Sequence, residues 1–435
     1  HTEHSESYAT IRKVSAELNK PVAVLQDLSG PKIRITPIEA NYAEVKDGDK
    51  IMLHPSKGEF SSSEHIYVEG VDPTACVTAG DQILLADGII SLKAESVSSS
   101  GVVCLIVKGG RLRSRVGIAF PDSNIELAAT TEKDFIDLEW GIENKVDYVA
   151  ISFVQSEKDI HGLREAMSKK GTRISIISKI ERKGALNNIK GIVEHSDGLM
   201  VARGDLGLEL PLETLPRIQR ALIEEGNNRG IPVIVATQMM HSMITAVRPT
   251  RAEVSDIAGA VMSGADAVML SEETSIGEHP VECVRILDRI VREAERTFDF
   301  DEYKLRLRGS DKAMVPDAVA YAACAAGVKV KAAAIIACTE TGTSARLVAK
   351  YRPQQPLFGV SRHFSTLCRM QLFWGVTPIV VGSTASHADE IESAIDGVKS
   401  IEGLPDDARC IIIGGAAVAN PGSTSIMEIR QIKAS

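Results

Sequence analysis

Apolar and polar positions along this chain recur with two different periods, and the change of period divides it into three stretches. Residues 5–18 (S-E-S-Y-A-T-I-R-K-V-S-A-E-L) have helical spacing, which predicts a helix burying Ile11, Val14 and Leu18. V-A-V-L after Pro21 predicts a buried strand ending at Asp27, followed by the Gly-Pro turn of D-L-S-G-P-K-I-R. From about Thr36 to Gly117, short alternating runs (K-I-M-L-H, H-I-Y-V-E, Q-I-L-L-A, V-V-C-L-I-V) are separated by D-G-D, A-D-G, S-S-S-G and K-G-G. That texture predicts a small antiparallel β-barrel inserted into a larger unit. From Glu126 onward, helical and strand patterns take turns: Y-V-A-I-S-F-V, I-S-I-I-S-K-I-E, L-M-V-A-R-G-D, I-P-V-I-V-A-T-Q and A-V-M-L-S-E-E-T are the strands. Such a rhythm, with polar residues after each strand, predicts a parallel (β/α) barrel with its chemistry at the C-terminal strand ends. After a charged linker over residues 298–311, a second α/β unit follows, with a helix from Val315, the strand A-A-A-I-I-A-C and a last strand I-M-E-I.

The expected fold is therefore α/β: a TIM-type (β/α)8 barrel over residues 1–36 and 118–300, an inserted β-barrel lid over 37–117, and a C-terminal α/β effector domain over 312–435. Counting from Val22 gives six barrel strands. A closed barrel of this type has eight, so either the sheet is open or its first two strands lie outside this chain.

Composition narrows the function. A formal net charge of -9, with no Lys/Arg-rich block, argues against a nucleic-acid partner. Seven cysteines without a C-x-x-C point to reduced thiols and away from zinc. No apolar run is long and clean enough to span a bilayer, and the expected location is the cytoplasm.

The candidate chemistry lies between Ile174 and Gly207. Lys179 and Glu181, two apart on a strand, point the same way, and Asp205 follows the next strand. If those strands are parallel neighbours, an ammonium and two carboxylates meet at their ends. Charges flanking buried strands are paired or bind an ion; two hard carboxylates suit Mg²⁺, with water and substrate phosphate completing its shell. A lysine beside such an ion can steady a phosphoryl group in transfer. The amides of Gly204 and Asp205, at a turn into L-G-L-E-L, could receive a substrate carboxylate. Thr237 offers a hydroxyl for proton relay, or equally a helix N-cap. The segment V-R-P-T-R-A-E is either a capped helix start or a subunit contact. In the C-terminal unit, C-T-E-T-G-T-S-A opens a helix after a strand; it reads as a phosphate cradle or an ordinary capped turn, with residues 420–425 as a second wall.

Taken together, S-K-I-E, M-V-A-R-G-D-L-G-L-E-L-P, V-I-V-A-T-Q-M, R-P-T-R-A-E-V-S-D-I-A and G-A-D-A-V-M-L-S-E-E-T resemble the pyruvate kinases, and D-L-S-G-P-K-I-R and T-E-K-D match in the same order. The resemblance implies Mg²⁺- or Mn²⁺-dependent phosphoryl transfer from phosphoenolpyruvate to ADP, giving pyruvate and ATP, the last step of glycolysis, by a homotetramer. It assigns Lys179 and Thr237 to catalysis and Glu181 and Asp205 to the metal. Gly204, Asp205, Thr237 and Ser152 would hold the three-carbon substrate, Arg34 would lie near the nucleotide phosphates, and Arg251 would face a neighbouring subunit. Thr339, Thr341, Gly342, Thr343 and Ser344 would hold the phosphate of a sugar phosphate or AMP effector.

The chain also departs from the family pattern. The R-x-N-F-S-H-G segment, which carries substrate and cation ligands, is not found in it. Many relatives have Thr after the Asp27 equivalent and Glu at the Lys32 position; here the residues are Leu28 and Lys32. A tethered ammonium at Lys32 implies that K⁺ is not required. In the lid hinge, Val116, Ala119 and Asp122 replace the usual Lys, Asn and Gly, leaving Arg111, Arg113 and Arg115 as possible phosphate contacts. Two other classes stay open: an inactive or regulatory relative of these kinases and, more remotely, an Mg²⁺-enolate aldolase or lyase.

Overall fold

The computed structural model of the protein describes residues 1–123, 125, 127–307, 314–382, 387–405, 407–415 and 424–432. Its first sheet has six parallel strands: Leu25–Leu28, Tyr148–Ile151, Ser175–Ile180, Gly198–Ala202, Val233–Ala236 and Ala267–Met269. Spatial order follows sequence order, as in a barrel wall, and every neighbouring pair is parallel. These strands are almost wholly apolar because both faces are covered. Val149, Ile151, Ile176, Ile180 and Val201 pack outward on the helices. Tyr148, Ala150, Ile177, Met200, Ile234 and Ala236 fill the inside.

The intervening helices start where their caps dictate. Thr131 and Asp134 exchange hydrogen bonds at the head of Glu132–Glu143, and Thr250 and Glu253 do the same for Arg251–Ser263. The first helix, Thr2–Glu17, docks differently from its pattern. Ile11, Val14 and Leu18 are exposed at 39%, 43% and 63%. The docked face instead carries Ser5, Tyr8, Arg12 and Ser15. Arg12 Nη2 pairs with Asp147 Oδ2 at 2.7 Å, and Trp140 Nε1 donates to Ser5 Oγ at 2.9 Å while its ring meets Tyr8. Specific polar and aromatic contacts, rather than the aliphatic stripe, set its rotation.

Between the first two barrel strands sits a seven-stranded sheet, from Ile118–Ala119 through Gln82–Leu85, Ile90–Ser98, Gly101–Lys108, Lys50–Pro55 and His65–Glu69 to Arg34–Ile35. Its edges nearly close, since Ile35 N donates to Val116 O at 3.1 Å and Ile118 N to Ile33 O at 3.2 Å. The expected alternation holds: Ile51, Leu53, Ile66, Val68, Ile83 and Leu85 point into one core. One pair departs from the antiparallel expectation, Lys50–Pro55 running parallel to His65–Glu69. At Gly101, φ is +147° and a Cβ would lie 2.7 Å from Leu53 O, so this turn has no room for a side chain.

The C-terminal sheet runs Val376–Val380, Leu357–Ser361, Ala334–Cys338, Arg409–Gly415 and Thr424–Gln431, parallel except for the last strand. Apolar clusters cover both of its faces. The stretch expected as a plain linker contains a helix, Phe300–Arg306, capped by Asp299. Arg352, 1% exposed, fastens this unit to the barrel. It donates to Gly264 O at 2.8 Å and Asn227 Oδ1 at 3.1 Å, and pairs with Asp266 at 3.1 Å.

Candidate active site

Strand parity builds the site. Ile177 faces the inside of the barrel, so Lys179 and Glu181, two and four residues on, face it too. By the same count Tyr148 and Ala150 lead to Ser152, and Leu25 leads to Asp27. These four side chains meet. Lys179 Nζ lies 3.1 and 3.0 Å from the two oxygens of Asp27, 2.9 Å from Ser152 Oγ and 3.1 Å from Glu181 Oε1. Ser152 Oγ donates to Leu28 O at 2.7 Å. The Leu28 side chain, on the opposite parity, is buried among the outer helices and reaches no cation site.

Glu181, with a side chain 2% exposed, is held from its other end by Phe153 N–H, at 2.7 Å from Oε2. Phe153 has φ +56°, a left-handed conformation that branched and bulky residues avoid. The unusual backbone turns that amide onto the carboxylate. Burial pushes the Glu181 carboxyl up, Lys179 pulls it down and Asp205 pushes it up again; the net direction is upward. Burial draws the Lys179 ammonium down, but Glu181 and Asp27 outweigh it and hold it above the ordinary lysine value.

Asp205 lies in the first turn of a short helix, Arg203–Glu209, where a plain turn was expected. Thr237, at φ +69°, is no helix cap: the next helical segment, His241–Ile244, follows Met240. Its Oγ1 donates to Ala236 O at 2.6 Å and accepts from Gly204 N at 2.8 Å. The Gly204 amide, read from sequence as free, is thus taken by Thr237. Arg203 clamps the same junction, donating to Thr237 O at 2.7 Å.

A cleft opens between lid and barrel, and of these groups Phe153, Glu181 and Asp205 line it. Its ionisable lining is Lys32, Asp87, Glu181, Arg182, Asp205 and Glu209, two cations against four carboxylates, a formal charge of -2. Lys32 is therefore brought to the same cleft as Glu181 and Asp205. Arg34 is not: it is exposed in a lid strand, and its Nη1 donates to Arg115 O at 3.0 Å. Arg111 is engaged by Glu44 at 3.1 Å and stacks over Tyr42. Asp122, at the hinge, accepts from Gln82 N at 2.8 Å.

An all-oxygen pair in a cleft of net negative charge, without histidine or cysteine in the lining, fits a hard divalent cation such as Mg²⁺ or Mn²⁺. Among the described residues no group of three or more His, Cys, Asp or Glu is disposed to hold an ion alone. Water or substrate oxygens would complete the shell around Glu181 and Asp205.

The remaining sequence candidates lie elsewhere. Arg251 is exposed at the first position of its helix. In the C-terminal unit, Thr339 Oγ1 accepts from Gly342 N at 2.9 Å, Thr341 and Thr343 hydroxyls lie 2.9 Å apart, and Ser344 meets Thr424 at 2.6 Å. Residues 420–423 of the proposed second wall lie outside the described residues. Three ionisable cleft residues escaped the sequence reading. Asp87 was read only as part of the A-D-G spacer and Glu209 only as part of L-G-L-E-L after a turn, whereas Arg182, adjacent to Glu181, could have been flagged as a charge at a strand end. No helix among the described residues is long and apolar enough to cross a membrane.

Comparison with known proteins agrees along the whole chain. The family description "Pyruvate kinase, barrel domain" matches residues 1–284, and "Pyruvate kinase, alpha/beta domain" matches residues 317–430. A pyruvate kinase of Clostridium acetobutylicum is 35% identical, over 100% of this chain and 92% of its own length. Pyruvate kinase 2 of Synechocystis is 37% identical over 100% of this chain and 73% of its own length. The pyruvate kinase of Dictyostelium discoideum is 35% identical over 99% and 86%.

Proposed function

The chain belongs to the pyruvate kinase family, a family of phosphotransferases, and from that premise we propose that it transfers the phosphoryl group of phosphoenolpyruvate to ADP with a divalent cation. The observation that carries this reading is the fixed ammonium of Lys179, held by Asp27, Ser152 and Glu181, the last of which lines a cleft together with Asp205. A cleft of formal charge -2 repels two phosphorylated substrates, and Mg²⁺ or Mn²⁺ on Glu181 and Asp205 would cancel that charge and draw in phosphate oxygens.

Lys179 is pre-placed, so it can stabilise charge on the migrating phosphoryl group without reorganising. As the P–O bond to the enol oxygen breaks and one to the ADP oxygen forms, the enolate of pyruvate is left to take a proton at carbon. Thr237 sits at the adjacent strand end with a hydroxyl that already bridges two groups, and it relays that proton. Its partner, the Gly204 amide, can turn to the substrate carboxylate together with the Asp205 amide. Ser152 fixes Lys179 and the strand end of Leu28 in one stroke.

The two barrel segments, the lid and the C-terminal unit are read as catalytic, closing and effector domains of a cytoplasmic homotetramer. Arg251 faces a neighbouring subunit, Arg34 approaches the nucleotide, and the 339–344 loop takes a sugar phosphate or AMP. Lys32, in the cleft wall, supplies the charge that K⁺ brings elsewhere. A lactate dehydrogenase-coupled assay with phosphoenolpyruvate, ADP and Mg²⁺ tests the reading. Turnover abolished by a chelator is expected; absence of turnover alongside intact metal binding would favour a non-catalytic relative.

A further inference from the structure

Among the described residues three arginines are buried, and one of them stands apart. Arg182, Arg203 and Arg352 are 7%, 9% and 1% exposed, and all three leave Nε without a hydrogen-bond partner. Arg203 and Arg352 compensate through their terminal nitrogens. Arg203 reaches Asp256 at 2.5 Å and Thr237 O at 2.7 Å, and Arg352 has four contacts between 2.7 and 3.1 Å. Among the described residues Arg182 has no comparable anchor. Its Nη1 lies 3.5 Å from Ile125 O, its Nε lies 4.0 Å from Glu209 Oε1, and its guanidinium rests over the Phe153 ring at 5.1 Å. Both polar contacts are at or beyond the outer limit of a hydrogen bond, and the ring contact supplies no acceptor for the N–H donors. A buried cation so weakly satisfied is expensive unless a ligand completes it.

Its location says which ligand. Arg182 follows Glu181 directly, lines the cleft with Glu181 and Asp205, and leans on the residue whose amide holds Glu181. A planar guanidinium with spare donors is the side chain best matched to a phosphate oxygen pair. We propose that Arg182 is a phosphate-binding residue of the cleft, its loosely held guanidinium closing on a substrate phosphoryl oxygen. The proposal rests on the phosphotransferase reading and adds a contact that the Lys179–Glu181–Asp205 set does not supply.

Either substrate can bring that phosphate, and kinetics of Arg182→Gln separate them. The Michaelis constant for phosphoenolpyruvate or for ADP should rise about tenfold, with kcat changed far less, as expected for a lost charge-assisted contact. Whichever constant rises names the source. Arg182→Lys, which keeps the charge and loses the fork, should give a smaller rise in the same constant and serves if the Gln variant fails to fold. Both constants within about twofold of wild type in a folded variant would overturn the proposal. Calorimetric titration of wild type and variant with inorganic phosphate and Mg²⁺ reads the same contact without turnover. Weaker binding in the variant supports it, and equal binding overturns it, even if the wild-type chain proves inactive in the coupled assay.

Discussion

The mouth of the barrel and the 339–344 loop are built alike and finished differently. Both are junctions where a buried parallel strand gives way to a helix, and both offer hydroxyls, amides and charge. In the C-terminal loop the polar groups pair internally among the described residues. Glu340 pairs with Arg362 at 3.2 Å and His363 at 2.6 Å, and the hydroxyls of Thr339, Thr341, Thr343 and Ser344 find protein partners. At the barrel mouth the charges do not balance. The cleft keeps a formal charge of -2, a weakly held arginine and a left-handed residue at Phe153, and Thr237 nearby at a strand end is left-handed too. Strain and uncompensated charge persist where a ligand is meant to arrive. The same junction geometry can thus rest self-paired or stand uncompensated: the loop must release its own pairs before an anion is held there, whereas the mouth has charge already waiting.

The comparison can be attacked from its strongest point downward. Lys179→Met removes the pre-placed ammonium and leaves Glu181 and Asp27 without their partner; kcat should fall by about 10²–10³-fold or more in the coupled assay. Recovery of near-native turnover would mean that the mouth's charge arrangement is incidental. Glu181→Gln and Asp205→Asn each halve the carboxylate pair, so activation should need at least about tenfold more Mg²⁺, measured by metal titration of the rate. Lys32→Glu should slow the enzyme by about tenfold in K⁺-free buffer, a barrier change of roughly 1.4 kcal/mol, and restore part of the rate on adding K⁺. A wild-type enzyme strongly activated by K⁺ would contradict that role. The smallest effect is expected at the loop: Glu340→Gln frees Arg362 and His363, and inorganic phosphate should then bind this unit a few-fold more tightly by calorimetry. No change would show that the loop's self-pairing does not restrain anions.

Much of this was legible in the sequence because strand parity is strict. Once Ile177 is inside, Lys179 and Glu181 must be, and six parallel strands in sequence order follow from the alternation of patterns. Thr237 and Gly204 were found as residues but not as a pair, since their hydrogen bond depends on a left-handed backbone that no residue preference announces. The first helix was rotated wrongly because Ile11, Val14 and Leu18 form the better apolar stripe, while Arg12–Asp147 and Ser5–Trp140 decide the docking. Asp87 stayed invisible because only the lid's placement over the barrel makes it a neighbour of Asp205 in the cleft, whereas Glu209 shares the short helix Arg203–Glu209 with Asp205 and was legible one turn further on.

The central claim is that Glu181 and Asp205 form one divalent-cation site beside Lys179. Electron paramagnetic resonance titration with Mn²⁺ tests it without requiring turnover. Wild type should bind one Mn²⁺ at this site, and Asp205→Asn and Glu181→Gln should each weaken it by about tenfold or more while leaving the fold intact. Unchanged Mn²⁺ affinity in both folded variants would contradict the account.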